Sequence, residues 1–473
     1  MGEIQLEKAL SRRSFLKATA VSSAALVLAA CAPQSAPAPA APTSAPAAGA
    51  TEQPAATAEP AQSQPTGSDI VVACFYPVDQ TAGWKGLVAD FEKQHAGTKI
   101  TTQVSPGNEY LPKLLTQLAA GTPPDVLGVE NTPFIQFVRK SVLENLSPFL
   151  DKDPAFKPTD FFPKLIDRYT VDGQVYGIPY DVQPMCCLFY NKGLFDEAGI
   201  SYPSKDWRWD DLLQAALKLT KGQGDRINQY GFHYADYNVD HQFFVYSNGG
   251  TIVDDVKHPT RATLDNPKTI EGVQYWADLI NKQKVSPHPS FFTGAGQGAG
   301  DLFSTGKLAM FLGGYWEFVF APDKFKQVNL GMQLGPAGPD GTRGYSTGGT
   351  AYCIGNGSKH KDMAWEFVKF FMGMPGYEAA VKEAKYGVIY PPAYIPAYNS
   401  EVFAKMPNPP IENMTINGDA AQWACFSPQH PQWPEWQSTI ISPTCELIGN
   451  GEKTVQEGMA EMQTKIQQGL SAG

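Results

Sequence analysis

Strand-like and helix-like patterns alternate from residue 70 to residue 129, and this alternation constrains the fold more than any other feature of the chain. Residues 70–75 and 125–129 are apolar runs typical of buried strands, and residues 100–104 alternate like a half-buried strand. Between them, apolar residues recur at helical spacing, namely Trp84, Leu87, Val88 and Phe91, and then Leu111, Leu114, Leu115 and Leu118 before Gly121. A βαβαβ order builds a parallel sheet, so we predict an α/β fold.

The same alternation continues through the rest of the chain. Strand-like runs occur at residues 188–192, 307–312 and 352–354. Helical apolar faces are predicted from four groups, which are Leu212, Leu213, Ala216 and Leu217; Ile270, Val273, Ala277 and Ile280; Met363, Phe367, Phe370 and Phe371; and Val455, Met459, Met462 and Ile466. The length of 473 residues allows two or three domains.

The N-terminus has the parts of an export signal with a lipid attachment site. Arg12 and Arg13 form a twin-arginine pair, an apolar run follows, and small residues precede Cys31 as in a lipoprotein cleavage site. The run from residue 18 to residue 30 has thirteen residues, fewer than the roughly 20 that span a bilayer. We predict that residues 1–30 are a signal peptide and that lipidated Cys31 anchors the chain on the extracytoplasmic face, at the cell surface or in the periplasm.

The segment after Cys31 is predicted to be a tether. Residues 32–67 consist almost entirely of Ala, Pro, Ser, Thr, Gln and Gly, which cannot bury enough apolar surface to fold. Its proline content favours a semi-extended spacer. The folded part is therefore expected to begin near Ser68.

The charge balance argues against nucleic acid as a partner. Without its leader the chain carries 33 basic and 45 acidic residues, so it would be repelled by a phosphate backbone. The same balance disfavours broad adsorption to an anionic membrane, so the lipid must supply the anchoring.

The cysteines predict no metal site. Besides Cys31 there are six, at positions 74, 186, 187, 353, 425 and 445, without CxxC spacing or a Cys/His cluster. Disulfides persist outside the cytoplasm, and Cys425 with Cys445 is the first candidate pair. Buried free thiols are an equally open alternative.

Signatures of enzymes are missing from the sequence. It has no GxSxG or HExxH motif, and residues 300–307 have five residues between their glycines, where a P-loop has four. No catalytic residue or cofactor is predicted. Carboxylates are plentiful, however, so a glycosidase pair stays open.

Aromatic and polar residues stand side by side in several predicted loops. Such pairs suit a sugar, because its apolar faces stack on aromatic rings and its hydroxyl groups bind carboxylates and amides. Trp316 follows two glycines at a strand end, where α/β folds bind ligands. Core packing is the alternative for each aromatic residue, and Gly348-Gly349 fits either close approach of a ligand or a plain turn.

Four blocks of the chain resemble the extracellular solute-binding proteins of ABC importers, in the carbohydrate-binding group that includes maltose-binding protein. They are residues 121–126 (GTPPDV), 177–180 (GIPY) with 188–199 (LFYNKGLFDEAG), 306–311 (GKLAMF) on to Trp316, and 364–370 (AWEFVKF) on to Pro391. Their order and spacing over roughly residues 68–470 carry the resemblance.

The resemblance implies the type II fold of periplasmic binding proteins, in which crossing hinge strands join two α/β lobes around a ligand cleft. Lobe one would comprise residues 68–180 with 337–395, and lobe two residues 181–336 with 396–470. Trp316 would stack on the ligand, and Tyr180 and Asp181 would lie at the hinge. The full set of predicted ligand-binding residues is Tyr76, Asp79, Trp84, Glu130, Asn131, Tyr180, Asp181, Asp236, Trp316, Glu317, Gly348, Gly349 and Trp433.

We therefore expect a lipid-anchored, monomeric protein that captures a sugar or oligosaccharide by lobe closure and delivers it to the membrane domains of an ABC importer. It would perform no chemistry and need no cofactor or metal. One alternative is an exported glycoside-active enzyme with paired carboxylates across its cleft. The other is a binder of the same fold for a non-sugar solute such as a polyamine.

Overall fold

The computed structural model describes residues 69–75, 81–105, 107–185, 187–222, 226–234, 242–295, 298–314, 322–383, 391–404 and 415–472. The strands are β1 (Ile70–Phe75), β2 (Ile100–Ser105), β3 (Val126–Glu130), β4 (Thr170–Val171), β5 (Gln174–Val175), β6 (Ile178–Pro179), β7 (Gln183–Pro184), β8 (Cys187–Asn191), β9 (His233–Tyr234), β10 (Met310–Gly313), β11 (Leu330–Leu334), β12 (Tyr345–Gly348), β13 (Thr350–Ile354) and β14 (Ala424–Cys425).

The helices lie between these strands and after them. They are α1 (Thr81–Gln94), α2 (Gly107–Ala119), α3 (Asn131–Arg139), α4 (Ser147–Lys152), α5 (Pro163–Arg168), α6 (Lys192–Ala198), α7 (Trp209–Leu219), α8 (Phe243–Ser247), α9 (Pro267–Asn281), α10 (Pro289–Ala295), α11 (Ala299–Ser304), α12 (Lys361–Met372), α13 (Met374–Glu383), α14 (Ile395–Tyr398), α15 (Glu401–Ala404), α16 (Ile416–Ala421), α17 (Trp433–Trp436), α18 (Ser442–Gly449) and α19 (Val455–Ala472). Two 3₁₀ turns, Pro158–Asp160 and Pro322–Phe325, and a π-helical turn, Gln437–Ile441, complete them.

The first sheet confirms the βαβαβ prediction. Its strand order is β2-β1-β3-β13-β6, and β1 runs parallel to both β2 and β3. Strand β13 returns antiparallel to β3 and β6. Helix α12 covers this sheet, and its Phe367 packs edge-to-face on Phe91 of α1 with ring centroids 5.1 Å apart.

Two predicted helix faces differ from the structure, that of α2 at two positions and that of α7 at one. Leu111 and Leu115 of α2 are 36% and 42% exposed, and Leu217 of α7 is 41% exposed. In α2 the buried positions are Tyr110 and Leu114, because the Tyr110 hydroxyl donates to the carbonyls of Ala73 (3.1 Å) and Gly128 (2.9 Å) and fixes the rotation of the helix against the sheet.

The second sheet has the order β11-β8-β10-β9, with β10 antiparallel to β8 and parallel to β9. A separate hydrophobic core surrounds it and includes Trp276, Phe303 and Trp433. The predicted inward face of α19 is buried in this core, with Val455, Met459, Met462 and Ile466 all inaccessible to solvent or nearly so.

Crossing strands join the two sheets and their cores into two lobes. The chain passes from β6 in the first sheet to β7 and β8, and it returns from β11 through β12 to β13. Strand β12 pairs with β7 and β14 in a small third sheet. The predicted two-lobe α/β class with crossing hinge strands is therefore confirmed. We call the lobe around the first sheet the first lobe and the other the second lobe.

The residue limits of the lobes stay a prediction. Tyr345, within a segment assigned to lobe one, packs in the second core, with its ring centroid 5.6 Å from that of Phe243. The crossing segment thus belongs structurally to both lobes, and a single boundary residue does not describe it.

The described residues bear on two further predictions. Cys74, Cys187, Cys353 and Cys425 are free thiols, so the candidate disulfide between Cys425 and Cys445 is not formed. In the parts of the chain that the structure covers, no helix has the length and apolar character needed to cross a membrane. Residues 1–68, with Cys31 and the predicted leader and tether, lie outside the described residues.

Candidate functional site

The hinge is built from three chain segments held together by backbone hydrogen bonds. Tyr180 N–H donates to the carbonyl of Thr350 (2.8 Å), and Val182 N–H donates to that of Pro391 (2.8 Å). Ala393 N–H donates back to the carbonyl of Tyr180 (3.1 Å). These bonds bring the predicted hinge residues Tyr180 and Asp181 together with the crossing strands.

Asp181 is buried at the centre of this hinge. Its side chain is 2% exposed. Oδ1 accepts the backbone N–H of Thr350 (2.9 Å), and Oδ2 accepts Nε2 of Gln183. Burial raises the pKa of Asp181 to about 7, and the charge of Glu130 adds to the rise. Both oxygens are thus used inside the hinge, and the predicted contact of Asp181 with a ligand stays a prediction.

Gly349 has a structural requirement that Gly348 lacks. The φ angle of Gly349 is +141°, and a Cβ atom there would stand 3.3 Å from Oδ1 of Asp181 and 3.7 Å from the hydroxyl of Tyr169. At Gly348 the nearest atom, the carbonyl oxygen of Gln183, would be 4.0 Å away. In this structure the close approach at Gly349 is to Asp181.

Glu130 and Asn131 lie at the carboxyl end of β3, where the chain turns into α3. Glu130 is exposed, has extended backbone (φ −68°, ψ 156°) and precedes the helix. Since β1 and β3 are parallel, the chain leaves both at the same edge of the first sheet, which is the usual ligand edge of such sheets. The segment that follows β1 holds Tyr76 and Asp79, which are outside the described residues.

The predicted aromatic residues of the first lobe pack against one phenylalanine. Trp84 is half-buried, lies 5.1 Å from Phe371 and donates its indole N–H to Oγ1 of Thr102 (2.9 Å). Tyr180 is also half-buried, with its ring 5.2 Å from that of Phe371. Packing thus accounts for part of each ring.

In the second lobe, the chain segments that follow β9 and β10 begin at the same edge of the second sheet. The two strands are parallel neighbours, so the chain leaves both at the same side of the second sheet. The segment after β9 contains Asp236, and the segment after β10 contains Trp316 and Glu317. These three residues themselves are outside the described ranges.

Trp433 requires a correction. Its side chain is fully buried in the second core and packs edge-to-face on Trp436 at 5.9 Å. In this structure the ring offers no surface to a ligand. An amphipathic ring beside polar loop residues looks the same in sequence whether a cleft or a core surrounds it.

Two residues of the hinge, Gln183 and Tyr169, were not predicted from the sequence. Gln183 pairs with Gly348 across β7 and β12 and binds Asp181 through its amide. Tyr169 is buried beside Gly349. Neither belongs to a local motif, and the partner of Asp181 on β13 is 169 residues away in the chain, so no short-range signal was available.

A separate cavity of about 360 Å³ lies between α5 of the first lobe and residues 250–257 and 424–429 of the second. None of its lining residues belongs to the predicted ligand set. Two contacts cross between the lobes here, an ion pair from Lys257 to Asp167 (2.5 Å) and a hydrogen bond from Gln429 Nε2 to the carbonyl of Arg168 (2.8 Å). Among the described residues, no group of three or more His, Cys, Asp or Glu side chains is placed to hold a metal ion.

Residues 77–378 match the family model of bacterial extracellular solute-binding proteins. The chain is 26% identical over 284 residues to a putative binding protein of Brucella abortus, covering 59% of this chain and 66% of that protein. It is also 26% identical over 305 residues to an arabinooligosaccharide-binding protein of Bacillus subtilis, covering 61% of this chain and 65% of that protein. The chain thus spans just under two thirds of the length of these relatives.

A solved structure shares the fold. The ABC substrate-binding protein Lmo0181 of Listeria monocytogenes, in complex with cycloalternan, superposes with a TM-score of 0.73 at 24% identity. The superposition covers 85% of this chain and 99% of that one. With the family match extending over more than half of the sequence, the chain belongs to the bacterial extracellular solute-binding protein family.

Proposed function

We propose that this protein captures a sugar or oligosaccharide in the cleft between its lobes and delivers it to an ABC importer. One observation carries the proposal. Crossing strands join two α/β lobes, and in each lobe chain segments with aromatic and acidic residues follow the carboxyl ends of neighbouring parallel strands. The relatives support the choice of solute, since one is named for arabino-oligosaccharides and a structural neighbour holds cycloalternan.

The proposed site draws on both lobes. In the first lobe it comprises the segment of Tyr76 and Asp79 together with Glu130 and Asn131. In the second lobe it comprises Asp236, Trp316 and Glu317. Trp316 would stack on a sugar face, and the carboxylates would accept hydrogen bonds from hydroxyl groups.

The proposed mechanism is lobe closure without chemistry. A solute that contacts both lobes binds the closed arrangement more tightly than the open one, so it shifts the equilibrium towards closure. The membrane domains of the importer would recognise the closed form. No cofactor or metal takes part in this mechanism.

The cellular setting is part of the proposal. Lipidated Cys31 would hold a monomeric protein on the extracytoplasmic face of the membrane, and residues 32–67 would give it reach. Anchoring raises its local concentration at the importer. The twin-arginine leader suits a chain that folds before export.

A thermal-shift screen of the purified mature protein tests the proposed solute class. The panel contains arabinotriose, diacetylchitobiose, maltotetraose and cycloalternan, with putrescine and spermidine as non-sugar compounds. A ligand at 100 times its Kd stabilises the folded state by about 2.7 kcal/mol, which is a clear shift in Tm. A shift with a polyamine and none with any sugar would overturn the proposal, as would release of free sugar from the oligosaccharides during incubation.

Trp316 provides a sharper test with the sugar that gives the largest shift. Trp316→Ala should weaken its binding by about 1–3 kcal/mol, as the loss of a stacking ring does. Trp316→Phe is the matched control, because it keeps an aromatic face and should lose much less. Equal affinity of the wild type and the alanine variant would remove Trp316 from the site.

A further inference from the structure

Asp181 joins the crossing strands by side-chain hydrogen bonds as well as by backbone. Through Oδ1 it holds the first residue of β13, Thr350, and through Oδ2 it holds the amide of Gln183 in β7. On its other side its backbone pairs with Pro392. The carboxyl group of Asp181 therefore links β13 to β7, while its backbone pairs with the segment that returns at Pro392.

Glu130 and Tyr169 interact electrostatically with Asp181, and Cys353 and Arg168 interact with Tyr169. Of Asp181, Tyr169, Cys353 and Arg168, Asp181 is the one whose pKa lies near neutral pH. Glu130, at the end of β3, contributes negative charge. Burial raises the pKa of Tyr169 and of Cys353, so both stay protonated. Burial lowers the pKa of Arg168 to about 10, so its guanidinium stays charged. Thr350, Gln183 and Pro392 carry no titratable side chain.

A proton on Asp181 changes the hydrogen bonds of the hinge. The ionised carboxylate can only accept, so it pairs with the amide N–H of Gln183. The protonated carboxyl group must donate one hydrogen bond, and the amide carbonyl of Gln183 is the acceptor within reach once that amide turns over. The bond from Thr350 N–H persists in both states.

We propose that Asp181 is a proton-sensitive group of the hinge, and that its protonation favours the arrangement of crossing strands seen here whereas its ionisation favours arrangements that expose it to water. The sign follows from burial. The pKa of Asp181 is raised to about 7 in this arrangement, so the arrangement is favoured at low pH and loses that advantage as the pH rises from the ordinary carboxyl range through about 7. This inference rests on the proposed function in one respect only, namely that opening of the lobes would release the solute.

The distance between the lobes tests this inference without any sugar. Dyes on Lys113→Cys in α2 and Lys218→Cys in α7, both exposed positions on different lobes, report the distance by single-molecule fluorescence transfer. The wild-type distribution should differ between pH 5.5 and pH 8.5. Asp181→Asn mimics the protonated group and should keep the wild-type pH 5.5 distribution at both pH values.

The control is Asp172→Asn, at an exposed acid paired with Arg139, which should respond to pH like the wild type. The inference is overturned if the wild-type distribution does not change with pH, or if Asp181→Asn changes as the wild type does. Because no sugar is present, this failure is distinct from a failure of the solute screen.

A stability measurement guards against a variant that folds poorly. In urea denaturation the wild type should lose stability relative to Asp181→Asn between pH 4 and pH 7.5, and the difference should be constant above that. Parallel pH curves for the two proteins would show that the carboxyl group does not titrate in the hinge, and would overturn the inference independently of the dyes.

Discussion

At the scale of single residues, the hinge explains why two adjacent glycines are not equivalent. Gly349 has a φ angle that side chains rarely adopt, and an added Cβ would press on Asp181. Gly348 has room for a methyl group. The two positions therefore form an internal comparison within one crossing strand.

We predict that Gly349→Ala lowers the free energy of unfolding by about 1–3 kcal/mol. Alanine is strained at the φ angle of this position, and its Cβ atom would force Oδ1 of Asp181 to move. Gly348→Ala, as the matched control, should change it by less than about 0.5 kcal/mol. Urea denaturation of both variants checks this. Equal losses of stability in the two variants would contradict the prediction that only position 349 requires glycine.

Two single residues, Asp181 and Trp433, have surroundings that could not be predicted from the sequence. The role of Asp181 depends on Thr350, which only the folded chain brings near, so the sequence placed Asp181 at the hinge by resemblance but gave no sign of its burial. Trp433 beside polar residues looked like a sugar platform and is a core residue. Local patterns do not tell which side of an aromatic ring the rest of the chain will cover.

At the scale of elements, periodicity predicted most of what the structure contains. Strands β1, β2 and β13 and helices α1, α12 and α19 contain the residues predicted for them, because their apolar spacing matches one buried face. The predictions failed at Leu111, Leu115 and Leu217, which are exposed because contacts with other parts of the chain decide which side of each helix is buried. The two-residue strands of the hinge, such as β6 and β7, are too short to have any period.

Gln429 is an element-scale link between the lobes. Its N–H donates to Val256 of the second lobe (2.6 Å) and its side chain to the carbonyl of Arg168 at the end of α5 (2.8 Å), and it is buried. Gln429→Ala removes the side-chain donor from a buried contact, which should cost about 1–3 kcal/mol of unfolding free energy.

The control for this prediction is Gln422→Ala. Gln422 is exposed and donates to the carbonyl of Asp419 within its own turn, so its loss should stay within about 0.5 kcal/mol. Urea denaturation measures both variants. A loss for Gln429→Ala no larger than that of the control would mean that the link does not stabilise the fold.

At the scale of the whole molecule, the family match and the two-lobe architecture fit the resemblance stated from sequence. The order and spacing of the four sequence blocks were enough to predict the family and the fold, because the blocks are distributed over both lobes. The solute itself could not be predicted in the same way, since segments from distant parts of the chain would form its site.

The predicted anchor belongs to this scale as well. Cys31→Ser should move the protein from the membrane fraction to the soluble fraction, because no acyl chain would hold it. Its affinity for a stabilising sugar should equal that of the wild type. Fractionation with immunoblotting measures the first result and calorimetry the second. Retention of Cys31→Ser in the membrane fraction would contradict the anchor.

The central claim is that a sugar binds between the lobes and closes them. The most direct measurement is the interlobe distance of the protein labelled at Lys113→Cys and Lys218→Cys, with and without the panel sugar that raises Tm most. We predict that this sugar shifts the distance distribution to one narrower population, and that Trp316→Ala needs a higher concentration to show the same shift. An unchanged distribution at saturating sugar would contradict the account.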